Sequence, residues 1–399
     1  MAATSLLSEP APAPAEAVAA ASDDAPEFAR APASAGAVGG QPLRTADFAY
    51  DLPQELIAQT PIEPRDAARL LVVDRATGDF AHRHVTDLPA YLQPGDLLVL
   101  NDTRVIPARL PARKESGGQA EVFLLRKLEH GLWEALVGGR GLGVGKRVRV
   151  GKADGPQAWA TIVASHEGPL RTVAFEPPVD ALLEQLGQIP LPPYIHTLLA
   201  DPERYQTVFA RRDGSVAAPT AGLHFTPELL LGLRERGVRF ATMTLHVGLD
   251  TFRPVTEEDP RHHVIHREWL QVSPEAARLI NETRLQGGRI VAVGTTSVRG
   301  LETAAKIALG LAPCDPDPVD RVCGWQTVSA WTGETDLFIL PGHRFRAVDA
   351  LLTNFHLPRS TLLMLVAAFA GKPLVDRAYA EAIAQQYRFF SFGDAMLIL

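Results

Sequence analysis

Two regimes of hydrophobic patterning divide this chain. Between about residues 104 and 176, short segments alternate apolar and polar positions: Glu121–Leu128, Leu132–Gly138, Lys146–Gly151, Ala160–Ser165 and Arg171–Glu176. Gly117-Gly118, Gly138-Gly139 and Asp154-Gly155-Pro156 punctuate them. Evenly spaced short strands with turn signals predict a small barrel or sandwich. Elsewhere longer periods rule. Arg69–Asp74 and Asp96–Leu100 read as buried strands, and Leu52–Gln59 as a short helix. From about residue 180 helices and strands alternate, which is α/β organisation. Thr226-Pro227-Glu228 caps a helix through Arg236, Phe240–Val247 is a strand, and Pro274–Leu285 is a helix. Arg289–Val293 is a buried-type strand, followed by Gly294-Thr295-Thr296-Ser297 and a helix to about Gly310.

The stretch from Leu352 to Leu365 has the same strand–loop–helix form, with Thr353, Asn354 and His356 at the strand's end. Pro358 suits the first turn of the following helix, and Ser360 and Thr361 lie near its donor-rich start. In open α/β sheets ligands bind outside the carboxyl ends of strands. Four loops, between strands and helices or at strand ends, carry polar residues: Thr220–Phe225, Thr244–Gly248, Gly294–Ser297 and Asn354–His356. Backbone N–H groups and three hydroxyls at Thr295, Thr296 and Ser297 suit a carboxylate, phosphate or ribose, or simply cap a helix.

Composition narrows the classes. With 399 residues, 46% of them hydrophobic, the chain can bury a large core. No apolar run nears the roughly 20 residues of a membrane helix. Residues 1–41 are Ala/Pro-rich with five acids against Arg30, a composition expected to be disordered. They lack the basic start and apolar run of a signal peptide. Two cysteines, Cys314 and Cys323, make neither a disulfide framework nor a zinc site, so a cytoplasmic location is expected. Net charge is −7, yet residues 104–152 hold 11 Lys/Arg and 4 Asp/Glu, or +7, leaving −14 elsewhere. That asymmetry fits a polyanion-facing surface on an acidic body, or a solvated β segment. His263 and His266 with Glu268 invite a metal reading, although no helical His-Glu-x-x-His pair is present; an acid/base or substrate-binding role for His266 and Glu268, or a structural one, are the alternatives. No G-x-S-x-G elbow or Walker loop occurs, so serine hydrolases and P-loop NTPases lack their parts.

Several long motifs in order now carry a resemblance. They are Tyr50-Asp51-Leu52-Pro53, Leu100-Asn101-Asp102-Thr103-Arg104-Val105-Ile106-Pro107-Ala108-Arg109-Leu110 and Ala218-Pro219-Thr220-Ala221-Gly222-Leu223-His224-Phe225-Thr226. Thr244–Gly248, His263–Glu268, Gly294-Thr295-Thr296-Ser297-Val298-Arg299, Thr353–Pro358 and Tyr387–Ser391 follow. From about Asp47 to Leu399 the chain resembles the S-adenosylmethionine:tRNA ribosyltransferase-isomerases of queuosine biosynthesis. The resemblance implies a mixed-sheet α/β domain (42–103 and 178–399) with an inserted small β-barrel domain (104–177). It implies transfer and isomerisation of the ribosyl part of S-adenosylmethionine onto a 7-aminomethyl-7-deazaguanine wobble base of tRNA, giving epoxyqueuosine, adenine and methionine. S-adenosylmethionine is consumed as substrate, no metal is expected, and the protein is expected to be a monomer away from membranes.

Given that chemistry, His224, His246, His266 and His356 are the expected proton-transfer groups, with Glu268 and Asn354 orienting them. Thr220, Gly222, Gly248, Thr295, Thr296, Ser297 and Ser360 are expected to hold S-adenosylmethionine. Arg104, Arg109, Lys114, Lys146, Arg147 and Arg149 are expected to face tRNA. The sequence departs from the family pattern at His196, Asp250, Gly300 and Phe392. The rival readings are a non-catalytic tRNA-binding protein, a His-rich metallohydrolase and a methyltransferase using the same cofactor, although the usual Gly-rich methyltransferase loop is missing.

Overall fold

A computed structural model describes residues 43–129, 131–151, 155–248, 254–316 and 325–399. The expectations for the tail 1–41, Lys152, Asp250 and Cys323 lie outside the described residues. Three strands open the chain: β1 (Arg69–Val73), β2 (Phe80–His84) and β3 (Leu97–Asn101). A short strand, β4 (Thr103–Val105), leads into β5 (Arg109–Lys114), β6 (Gln119–Glu129), β7 (Leu132–Gly138), β8 (Arg147–Gly151), β9 (Gln157–Ser165) and β10 (Leu170–Glu176). These last six close a barrel in the order β10-β7-β6-β5-β8-β9. Alternation decides closure: Leu110, Val122, Leu124, Ala135, Val148, Val150, Ala160, Ile162 and Val173 point inward as a separate hydrophobic core.

After the single turn α1 (Leu183–Leu186), β11 (Arg212–Ser215) pairs parallel with β4. Then α2 (Pro227–Glu235), β12 (Arg239–Leu245), β13 (Glu268–Val272), α3 (Pro274–Leu285), β14 (Ile290–Val293) and α4 (Thr295–Ala308) follow. The chain ends with β15 (Trp331–Thr335), β16 (Ala350–Asn354), α5 (Thr361–Ala370), α6 (Lys372–Ala384) and β17 (Ala395–Ile398). Nine strands form one mixed sheet in the order β15-β13-β12-β3-β14-β16-β17-β1-β2. Its centre, β12-β3-β14-β16, is parallel.

Those central strands are continuous apolar runs because both faces are covered. Leu98, Leu100, Val291 and Leu352 pack toward α2 with Leu229 and Leu233. Val99, Ala292 and Leu351 share the other core with Ile280, Val298, Leu301 and Met364 of α3, α4 and α5. Among the described residues no helix is long and apolar enough to cross a membrane.

Two local expectations fail. Of Leu52–Gln59 only Gln54–Leu56 turns, as a 3₁₀ helix. The neighbouring backbone has a distant partner instead: Ala58 N–H bonds Phe389 O and Phe389 N–H bonds Leu56 O. Pro358 lies ahead of α5 rather than inside it. Ser360 is the cap, accepting from Leu363 N–H, and the turn before it has Arg359 at φ 56°. The 139–146 glycine run is the connection between β7 and β8, as the spacing predicts.

Candidate active site

Because β3, β12, β14 and β16 run parallel, their carboxyl ends share one edge of the sheet. The chain moves to one side of β3 for β12 and to the other for β14 and β16. A crevice at such a reversal is where α/β folds take ligands. The motif residues gather there from more than 250 positions of separation, as β3 and β16 show.

Asn354, at the end of β16, organises one wall. Its Oδ1 accepts from Thr220 Oγ1 at 3.0 Å, and its Nδ2 donates to Phe390 O at 3.1 Å. The same amide nitrogen lies 3.2 Å from His224 Nε2. An amide nitrogen only donates, so that ring nitrogen must accept and His224 is held neutral. Burial, helped by the Arg388 and Arg65 guanidiniums, pushes His224 down to about 4. His356 is held on three sides. Its Nε2 meets Thr353 Oγ1 at 2.7 Å, its N–H donates to the Tyr379 hydroxyl, and its carbonyl accepts from Tyr50. Burial pushes this imidazole down to about 3. Both histidines therefore stand as neutral hydrogen-bonding groups near neutral pH, a physical state that residue identity alone does not reveal.

The facing wall grows from β3 and β12. Asn101 Oδ1 accepts from Leu245 N–H, and Asp102 accepts from Thr244 Oγ1 and Arg211. This stitching brings Thr103 Oγ1 to 2.8 Å from His246 Nδ1. The His246 ring stacks on Trp269 at 4.9 Å, and burial lowers its pKa against the opposing pull of Asp102. Gly214 completes the slot, since a Cβ there would stand 2.7 Å from His246 Nε2.

Glu268, at the start of β13, accepts from Gly248 N–H at 2.8 Å and from Arg299 Nη1 at 2.5 Å. Arg299 also donates to the carbonyls of Leu337, His266 and Thr335. One buried guanidinium on α4 thus ties together β13, the end of β15 and the strand ends below. The sequence motif contains Arg299, but its role is legible only once its four acceptors come together. His266 lies beside this pair with an exposed side chain.

Two adjoining hollows share Thr295, Thr296 and Leu362. The first is lined by Thr220, Thr353, Asn354 and His356. The second is lined by Gly248, His263, His266, Glu268, Arg299 and Phe338. Thr296 Oγ1 is buried with no hydrogen-bond partner among the described residues. Gly294, at φ 89°, sets the turn that starts α4 here.

Three expected ligand-holding residues face elsewhere. Ser297 Oγ donates to Val293 O at the end of β14. Ser360 Oγ caps α5 and donates to Leu357 O. Gly222 makes room for its neighbours, as a Cβ would meet Phe209 at 2.7 Å and Thr207 at 2.8 Å. Among the described residues no three His, Cys, Asp or Glu side chains converge as a metal site requires.

The basic segment is less free than its composition suggests. Arg104 lies in β4, outside the barrel strands, and bonds Glu203. Arg109 bonds Glu121 at 2.7 Å and Arg147 bonds Glu115 at 2.6 Å. Arg147 also lies over the Trp159 ring, and Lys114 donates to Arg140 O. Lys146 and Arg149 have no such acceptor among the described residues. Of the departures from the family pattern, Gly300 has a packing reason. Met243 Cε occupies the place a Cβ would take, at 2.3 Å. Phe392 is buried edge-on to Tyr205, and His196 is exposed, its N–H bonding Gln59 Oε1.

Fold and site together define an α/β protein with a polar crevice at a sheet edge and a barrel beside it. The chain belongs to the queuosine biosynthesis protein family, whose pattern matches residues 45–398. It is 57% identical over 361 residues to the S-adenosylmethionine:tRNA ribosyltransferase-isomerase of Symbiobacterium thermophilum, covering 90% of this chain and 100% of that protein. The protein of the same name from Moorella thermoacetica is 52% identical, with the same coverage. A crystal structure of S-adenosylmethionine tRNA ribosyltransferase from Thermotoga maritima is 43% identical, covers 88% of this chain and 100% of that one, and superposes with a TM-score of 0.49.

Proposed function

We propose that this chain is an S-adenosylmethionine:tRNA ribosyltransferase-isomerase, a transferase of queuosine biosynthesis. It moves the ribosyl part of S-adenosylmethionine onto the aminomethyl-deazaguanine wobble base of tRNA and releases adenine and methionine. The observation that carries this reading is the full-length match to relatives of that name, at 57% identity for the Symbiobacterium protein. The crevice supports it, because five of the matched motifs line it, through Thr220, Gly248, His266 with Glu268, Thr295 with Thr296, and Asn354 with His356.

Within that reading, the cleft divides its work by chemistry. Thr295 and Thr296, at the start of α4, offer hydroxyl groups that suit the methionine carboxylate or ribose hydroxyls, and Gly248 lines the hollow beside them. Asn354, Thr220, His224 and His356 form a rigid neutral wall of donors and acceptors for a sugar or adenine edge. The sulfonium acidifies the C–H bonds beside it, so removal of one proton starts the rearrangement, and protonated adenine leaves more readily. Glu268 supplies negative charge near the cationic sulfur, held by Arg299. The barrel, as a domain inserted over residues 104–177, presents Lys146 and Arg149 to tRNA phosphates. The wobble base reaches the cleft from a single-stranded anticodon loop, where it is already unstacked from a duplex.

The test mixes purified protein, S-adenosylmethionine and tRNA carrying the aminomethyl-deazaguanine, with products followed by mass spectrometry. Adenine and methionine in equal amounts, with the matching mass gain on tRNA, are expected. S-adenosylhomocysteine, or tRNA binding without any small-molecule product, would overturn the assignment. His356→Ala and His224→Ala are expected to lower turnover; two folded variants with normal turnover would remove both from the working wall.

A further inference from the structure

We propose that His263 is the base that takes the proton from the substrate carbon beside the sulfonium, with Glu257 as its positioning carboxylate. The inference rests on the transferase reading above and names a residue for its first chemical step. It begins from the hydrogen-bonding state of three imidazoles of the expected set, His224, His356 and His246. His224 Nε2 is occupied by Asn354 and His356 Nε2 by Thr353. His246 is held by Thr103 on one nitrogen and closed in by Gly214 and Trp269.

His263 differs in kind. Its Nδ1 lies 3.0 Å from Glu257 Oε2. A carboxylate accepts the Nδ1–H, which selects the tautomer whose lone pair is on Nε2. That Nε2 has no partner among the described residues, and the ring lines the cleft with His266, Glu268, Thr295 and Thr296. Phe338 packs edge-on to the ring, with centroids 5.8 Å apart, and fixes its plane.

The segment carrying the pair is tied down at several points. Thr45 donates through Oγ1 to Glu257 O at 2.6 Å and through N–H to Glu258 O at 2.9 Å. Val255 N–H bonds Arg359 O, and Asp259 caps the turn Pro260–His262. Hydrogen bonds from its own backbone and from His263 hold the Glu257 carboxylate below its usual range, so it is charged when the imidazole takes a proton. In the step, the C–H bond breaks and an N–H bond forms at Nε2. The electron pair stays on carbon, stabilised by the adjacent positive sulfur. Glu257 balances the imidazolium.

The experiment uses the full chain with S-adenosylmethionine and the aminomethyl-deazaguanine tRNA. His263→Gln is expected to lose at least about a hundredfold in kcat, within the range for a general base. Its affinity for S-adenosylmethionine by calorimetry and its melting temperature should stay near those of the unaltered protein. Added imidazole is expected to restore turnover to His263→Ala. Glu257→Gln should lower kcat without changing that affinity, and Glu257→Asp should recover part of the loss. A folded His263→Gln with near-normal kcat overturns the proposal. A loss of affinity that accounts for the whole defect, with no rescue by imidazole, also overturns it. An unaltered protein that releases neither adenine nor methionine overturns the transferase reading itself, and the inference with it.

Discussion

Acid should destabilise this protein through two buried imidazoles. His224 falls from its ordinary 6.5 to about 4 and His356 to about 3, in both cases chiefly through burial. Both native pKa values lie below the unfolded one, so between them the unfolded chain binds more protons. Stability is then complete above about pH 6.5 and declines as pH falls toward the native values. A tenfold change in proton affinity corresponds to about 1.4 kcal/mol, so the full losses are about 3 kcal/mol for His224 and about 5 for His356. At pH 5 the unfolded imidazoles are almost fully protonated and the native ones are not. Linkage then gives about 2 kcal/mol lost per histidine relative to pH 8, or about 4 for both. That is a large share of the 5–15 kcal/mol typical of a folded protein. The assay is denaturant unfolding at pH 8 and pH 5 for the unaltered protein, His224→Gln, His356→Gln and the double variant. The variants start less stable at pH 8 because the Asn354 and Thr353 contacts change. Their fall between pH 8 and pH 5 should nevertheless shrink by about 2 kcal/mol per histidine removed. An identical fall in all four proteins would refute the reasoning.

Three more outcomes follow from the geometry. Arg299→Met leaves the Glu268 carboxylate buried without its cation, and should cost about 3–5 kcal/mol and most S-adenosylmethionine affinity; thermal melts and calorimetry check it. Lys146→Ala with Arg149→Ala should weaken tRNA binding and make log affinity against log salt shallower by roughly one to two. Arg109→Ala, already neutralised by Glu121, should change that slope much less, as filter binding over a salt series would show. Gly300→Thr drives a side chain into Met243 and should cost about 1–3 kcal/mol, with Met243→Ala in the same chain recovering part of it.

The pattern of residues determined a good deal by itself. The five alternating segments are five of the six barrel strands, because period two with turn glycines has few other outcomes. The helix Pro274–Leu285 has the ends its sequence predicts because Ser273 caps it and its apolar face is periodic. Three of the motif loops, Thr244–Gly248, Gly294–Ser297 and Asn354–His356, are recognisable as strand ends, since buried apolar runs stop at them, whereas Thr220–His224 is a 3₁₀ helix after the polar strand β11. The strand β5 is not legible in this way, its Arg109-Leu110-Pro111-Ala112-Arg113-Lys114 sequence being too charged to announce one. Its pairing with β6 and β8 decides it, and such pairing is a property of distant segments.

The same limit governs the site. Sequence picks out histidines but not their protonation, which depends on burial and on partners such as Asn354, 130 residues from His224. It marks Ser297 and Ser360 as donors but not that a strand-end carbonyl and a helix cap already use them. It counts the cations of the basic segment but not the carboxylates opposite Arg104, Arg109 and Arg147. It shows His263 only as one of three nearby histidines, while the Glu257 contact depends on a loop pinned to Thr45. Local pattern sets which backbone hydrogen bonds and faces each segment can offer. The tertiary structure alone decides which polar groups remain unspent, because their partners arrive from elsewhere in the chain.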